Sequence, residues 1–447
     1  MRFLFFCILL AAALCLRPSM KNALRNKVVT DFKDAIVPII YKQISHIVVP
    51  DVHTEHSGFK IDVTSIYIDI AAFHPSQIGI VFVPNTSIIR FAGANFAMKG
   101  GAHIHAKWHF ISKSMGADVT VSHLGFGAEI ALLSNAGKPN IKVNHATIGL
   151  SSHDVGIHIH GDIISKIIEF VADLLKGHFV KTIVSQLESK IPPMMTNEVN
   201  KRLNTLPTDI PIGEGLVMKY SFSYSPFVKA DYLYTGIAAY IHPKNNPNPP
   251  PYDAEDIPEF DAANPKGIQF FISDYIVKSA LYASFSIGLM TVSFEKDLLG
   301  HHIKMTCKAS KVPDFGFKNS IDATLDATCL VDFDNKPENR FTLLASLHVN
   351  LEEHVKQAVI FFSIKEAKIL QLEYKQEHPV DIQWFKNGIN TILQVIIQIV
   401  NGDLGQKGIP LPVIHGIDYT DIVQFIKMGY MEVATTPVFH FTMDEEA

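Results

Sequence analysis

The sequence predicts an α+β protein of two similar halves, each a twisted antiparallel sheet rolled around one long amphipathic helix. Three observations predict it. Each half of the 447-residue chain passes through strand-like segments of alternating hydrophobicity and then one long helical segment. Those helical segments, residues 163–190 and 381–401, each lead into a proline-bounded exit, IPPMM with TLPTDIPIG in the first half and GIPLPVIHG in the second. Between the halves lies IHPKNNPNPPPYDAEDIPEFDAANP, whose seven prolines favour extended backbone and cannot continue a helix or a central strand. The chain therefore divides into residues 1–17, a signal peptide; 18–241, a first barrel domain; 242–266, a proline-rich linker expected to hold the halves at a distance; and 267–447, a second barrel domain.

The leader is MRFLFFCILLAAALCL, one early arginine, a short apolar run and small residues, which is the pattern of secretion. Its removal takes Cys7 and Cys15 and leaves Cys307 and Cys329 in an oxidising compartment. These two lie in strand-like segments either side of the turn-like KVPDFGFKNS, so they are either a hairpin disulfide, the expected state, or two buried thiols. The sequon Asn85-Thr86-Ser87 follows a proline at a turn, which agrees with secretion and makes Asn85 a glycosylation candidate.

Composition then limits what the domains do. Hydrophobic residues make up 47% and charged residues 19%, so a large core is expected and disorder is confined to the linker. Mean hydropathy is +0.17, yet past the leader no uninterrupted apolar run approaches the roughly 18 residues of a membrane span. The surplus of apolar surface has to be hidden inside, or against something apolar that the protein carries. The formal net charge is -5, with a mild basic excess in the first half and an acidic excess in the second. No Lys/Arg cluster is dense enough to hold nucleic acid.

In FKIDVTSIYIDI the apolar residues take one phase at Phe59, Ile61 and Val63 and the other at Ile66, Ile68 and Ile70, which implies a bulge within a long strand. Strand segments with turn signals between them continue to residue 160. Residues 163–190 then carry polar positions every three to five residues opposite a broad apolar face, with Asp162 as N-cap and Pro192-Pro193 as the stop. An earlier amphipathic segment, residues 20–47, is expected to be a helix kinked at Pro38.

The run from VPDVHTEHSGFKIDV through FHPSQIGIVFVPN to the GGAHIHAKW strand resembles the opening of the bactericidal/permeability-increasing and lipopolysaccharide-binding protein (BPI/LBP) family. SSHDVGIHIHG before the long helix, the proline-rich spacer and GIPLPVIHGIDYTD follow in that family's order. The resemblance implies an elongated boomerang of two barrels joined by a central sheet, each barrel opening an apolar pocket for lipid acyl chains, with bound lipid as ligand and no cofactor. By position the first pocket draws on Phe32, Ile36, Ile40 and Ile44 of one helix and Ile168 and Leu175 of the next, and the second on Phe385, Ile389, Leu393 and Ile396. Two features depart from the family. Its usual disulfide is missing, because no cysteine lies between Leu16 and Thr306. Its cationic tip is here reduced to Lys99 and Lys107, the candidate anionic-headgroup contacts, with His103, His105 and His109 between or beside them.

No metal site is expected, because the strand histidines, including His158 and His160, lack further ligands at regular spacing. No HExxH, GxSxG or P-loop pattern occurs, so an enzyme is not expected. The expected function is secreted, extracellular lipid binding, with phospholipid or lipopolysaccharide as partner and a bacterial outer membrane or a lipid particle as its source. Innate defence against bacteria is the expected role; the alternatives are carriage or transfer of the organism's own phospholipids or other apolar ligands, and a non-lipid structural or interaction role with pockets filled by side chains.

Overall fold

The computed structural model describes residues 17–441 except 45, 57, 73, 161–164, 214, 337, 377–380, 405–407 and 414. The leader and Asp162 lie outside the described residues, as do the side chains of Ile40, Ile44 and Ile168. Among the described residues the fold has three antiparallel sheets and four α-helices: α1 (Asn26–Ile44), α2 (Ser165–Leu203), α3 (Asp274–Ser286) and α4 (Gln383–Leu404).

Residues 20–25 were expected in the first helix but form a strand, Met20–Arg25, at the centre of the middle sheet. It pairs on one side with Tyr232–Pro243 of the first half and on the other with Ile268–Ser273 of the second. Beyond Ile268–Ser273 the sheet continues into Tyr430–Phe439 and Ile417–Lys427, so its two flanks come from opposite halves of the chain. Helical periodicity does run through residues 24, 28, 32 and 36, but two ladders of main-chain hydrogen bonds outweigh the local preference at residues 20–25.

The linker does not hold the halves apart; it is laid across the outer face of this shared sheet. Lys21 Nζ donates to Asp256 Oδ1 at 2.7 Å and to Ile257 O at 2.8 Å, and Arg25 Nη2 donates to Asn264 O at 2.6 Å. Phe260 stacks on Tyr232 at 4.2 Å and lies under the Arg25 guanidinium at 4.7 Å. Ala254 and Ile257 are buried. Its prolines bar the segment from adding as a strand, so it is fixed by side chains rather than by a ladder.

In the first half an eight-stranded sheet is built on the long strands Phe59–Ala72, Ile88–Trp108 and Ile111–Asn135. The bulge read from the phase change is present: register shifts between Thr64 and Tyr67, Ser65 takes a positive φ of 53°, and Ile61, Val63, Ile66, Ile68 and Ile70 are all buried. Helix α2 packs on Lys138–Gly149 and Val155–Ile159. It runs through Pro192 and Pro193 instead of stopping there. The carbonyls these prolines leave without a partner belong to Glu188 and Ser189, which are exposed, so water can satisfy them.

The buried positions of α2 are Val171, Leu175, Phe179, Ile183, Leu187, Ile191, Met195 and Val199, every fourth residue without a break. A step of four advances about 40° past a full helical turn, so the stripe moves roughly 280° around α2 from end to end. What covers this helix must therefore change side along its length.

The second half repeats the plan with a seven-stranded sheet and α4. One detail is repeated atom for atom. The Ile141 N–H donates to Asn200 Oδ1 at 2.8 Å while Asn200 Nδ2 donates to Ile141 O at 2.9 Å. Likewise the Ile364 N–H donates to Asn401 Oδ1 at 2.7 Å and Asn401 Nδ2 to Ile364 O at 3.0 Å. Near the end of each long helix, a carboxamide thus occupies the donor and acceptor of a sheet residue that would otherwise be open to pairing. The structure also joins Cys307 to Cys329, which stand directly opposite on neighbouring strands.

Under the linker, Glu432 is buried and accepts from Asn264 Nδ2 at 2.7 Å. Burial holds its carboxyl above the usual carboxylate range, an effect the Asn264 bond offsets in part. The folded protein therefore binds this proton more tightly than the unfolded chain, and the charged form costs stability once pH rises past the folded pKa. Glu432→Gln keeps the acceptor and removes the charge. It should raise the unfolding free energy by on the order of 1 kcal/mol at neutral pH, with the gain shrinking toward about pH 4 in denaturant titrations. A pH-independent gain would contradict this.

An apolar cavity between the first barrel and the shared sheet

A cavity of about 320 Å³ opens where α1, the C-terminal half of α2, the first sheet and the shared sheet meet. Helix α1 contributes Val28, Val29, Phe32 and Ile36, spaced to fall on one face. Helix α2 contributes Leu187, Ile191, Met195, Val199 and Leu203, so the four-residue stripe that is solid core at Leu175 and Phe179 becomes cavity wall beyond Ile183. Phe91, Phe126 and Ile148 line it from the first sheet, and Leu24, Leu233 and Phe270 from the shared sheet. The second half also reaches it through Ile268, Pro412, Tyr419 and Phe439, so the cavity belongs to neither half alone.

Most polar groups on this wall are already engaged. Lys33 is 3% exposed, and its Nζ donates to Pro75 O at 2.8 Å and Ile78 O at 2.9 Å and pairs with Asp34 Oδ1 at 2.6 Å. The Tyr220 hydroxyl donates to Pro410 O and the Tyr419 hydroxyl to Pro412 O at 2.7 Å. Burial pushes both phenols up, so they stay neutral donors.

Of the residues expected to line the first pocket, Phe32 and Ile36 are on the wall, and Phe32 also makes edge contacts with Phe439 and Phe441. Leu175 is fully buried in solid core and lies off the cavity, because the stripe has turned away from it at that point. Ile191, Met195, Val199 and Leu203 were missed because the prolines were read as a stop; their signal was the unbroken spacing of four. In the second half, Ile389, Leu393 and Ile396 of α4 border a smaller cavity of about 170 Å³ that the disulfide also touches. Phe385 instead is buried among Phe341, Trp384 and Tyr374.

Lys99 and Lys107 are exposed on the outer face of the first sheet and do not form a cluster. Lys99 stands opposite Asp69, and Lys107 opposite Lys60. The hairpin tip beyond them carries Phe110, 94% exposed, after His109 in a left-handed turn. His105 lies in a cross-strand row with His53, Asp62 and Ser114, and His53 Nδ1 is 2.6 Å from Asp62 Oδ1. His160 Nε2 is 2.8 Å from Asp118 Oδ2. Among the described residues no group of three or more His, Cys, Asp or Glu is placed to hold a metal ion. Asn85 is exposed in a left-handed turn, its N–H bound to Val228 O. No helix among the described residues is long and apolar enough to cross a membrane.

Curled antiparallel sheets with an apolar space between them are also the fold of a solved lipopolysaccharide binding protein, and this chain shares that fold. Superposed on the crystal structure of lipopolysaccharide binding protein, it gives a TM-score of 0.61 at 15% identity, covering 95% of this chain and 100% of that one. The human BPI fold-containing family C protein is 22% identical over 408 residues, 82% of this chain and 77% of its own length. No family model matches the chain. The resemblance and the curled antiparallel sheets read from the sequence thus both hold.

Two substitutions separate core from cavity. Leu175→Ala should cost about 2–5 kcal/mol in denaturant unfolding and leave uptake of the apolar fluorophore N-phenyl-1-naphthylamine unchanged. Met195→Trp should cut uptake severalfold by filling the space, at no more than about 1–3 kcal/mol. The reverse pattern would place the ligand space elsewhere.

Proposed function

We propose that this is a secreted, non-catalytic lipid-binding protein that holds the acyl chains of phospholipid or lipopolysaccharide in its apolar cavities. The observation that carries the reading is the cavity of about 320 Å³ whose wall is almost wholly aliphatic and aromatic. Each acyl methylene taken from water into such a space contributes about 0.8 kcal/mol, so a chain gains affinity without any reacting group. The secretory leader, the sequon at Asn85 and the Cys307–Cys329 bridge support an extracellular setting.

The fold shared with lipopolysaccharide binding protein supports a role in innate defence against bacteria. Carriage of the organism's own lipids is the second reading, and the outer surface favours it: Lys99 stands opposite Asp69 and Lys60 opposite Glu55, which leaves little basic excess beside Lys107. Affinity on either reading comes mainly from chain burial.

Native mass spectrometry of protein purified without detergent tests this directly. Co-purifying lipid, identified by fragmentation as phospholipid or lipopolysaccharide, is the expected result. Protein that emerges empty and takes up neither labelled lipid would overturn the reading and favour a structural role.

A further inference from the structure

The cavity wall carries a polar spot that nothing among the described residues satisfies. Asn22 and Thr235 are cross-strand partners in the shared sheet, and both face the cavity. They are 8% and 6% exposed. Asn22 Oδ1 and Thr235 Oγ1 are fully buried and make no hydrogen bond among the described residues. Other buried polar atoms in the same condition, such as His178 Nε2 and Trp384 Nε1, belong to residues off this wall. The neighbours of the pair are apolar: Leu24 and Leu233 form the next row on the same face, and Phe270 stands beside Asn22 on the following strand.

Buried polar groups are almost always paired, because the water they give up is not replaced for free. An unpaired couple side by side, in register on residues that border a greasy cavity, is the arrangement of a recognition point. We infer that the lipid held here carries a hydroxyl group that is enclosed in the cavity and bound between Asn22 and Thr235. A hydroxyl is the small neutral group that serves both atoms at once, donating its proton to Asn22 Oδ1 and accepting one from the Thr235 hydroxyl. An ester carbonyl or ether oxygen accepts only, and leaves Asn22 Oδ1 bare.

This inference rests on the lipid-binding reading and narrows it: the ligand class is a long-chain alcohol, a hydroxylated acyl chain or a sterol-like alcohol. Phospholipid chains bearing no hydroxyl would fill the space without using the spot.

The test uses the full-length protein loaded with N-phenyl-1-naphthylamine and two competitors of equal chain length, 1-hexadecanol and methyl palmitate. The alcohol should compete roughly tenfold more strongly than the ester. In the near-isosteric double variant Asn22→Leu/Thr235→Val that ratio should fall to about one. The single variant Thr235→Val, the milder change, should lower it part of the way. Removing unpaired polar atoms should also leave the ligand-free double variant at least as resistant to heat as the wild type. Equal competition in the wild type, a preference for the ester, or a ratio untouched by Thr235→Val overturns the inference while the lipid-binding reading stands. Displacement by neither chain overturns both.

Discussion

The strand Met20–Arg25 is hydrogen-bonded along both edges, to Tyr232–Pro243 from one half and to Ile268–Ser273 from the other, and the remaining architecture follows from that double pairing. It makes one sheet out of segments at opposite ends of the sequence. Its outward side chains, Lys21 and Arg25, give the linker its anchors, and its inward side chains, Asn22 and Leu24, form part of the cavity wall. Ser19 extends the seam, exchanging hydrogen bonds with Ala239 and accepting from the Ser273 N–H. The cavity exists because this sheet and α2 stand apart at a place where each still presents an apolar face.

Much of this plan was legible in the residues. Alternation with a phase change at residues 59–70 gave a bent strand, and the bulge lies at Ser65. The duplication was visible as two long amphipathic segments with proline-bounded exits, and the matched clamps of Asn200 and Asn401 show how far the repetition goes. The cysteine pair was readable because a hairpin register was implied by the turn between them.

What escaped has a common cause: short-range signals were overruled by partners distant in sequence. Residues 20–25 look like the first turns of a helix until two strands more than two hundred residues away are supplied. Pro192 and Pro193 are breakers in an isolated helix, but Ile191, Met195 and Val199 have apolar surroundings to face, and the freed carbonyls are on the wet side. The linker's composition describes a chain that cannot join a ladder and does not say that the chain stands free of the body. Asn22 and Thr235 were invisible as a site, since a lone polar residue in a strand carries no periodic signal.

The placement of Met20–Arg25 also has a consequence for how the molecule is made. This strand is synthesised before either of its partners, both of which lie more than two hundred residues downstream. Until Ile268–Ser273 is synthesised, the nascent first half displays a raw sheet edge beside an unfinished greasy hollow, the kind of surface that chaperones hold and that aggregates form on. A message truncated near the linker would therefore yield a sticky fragment.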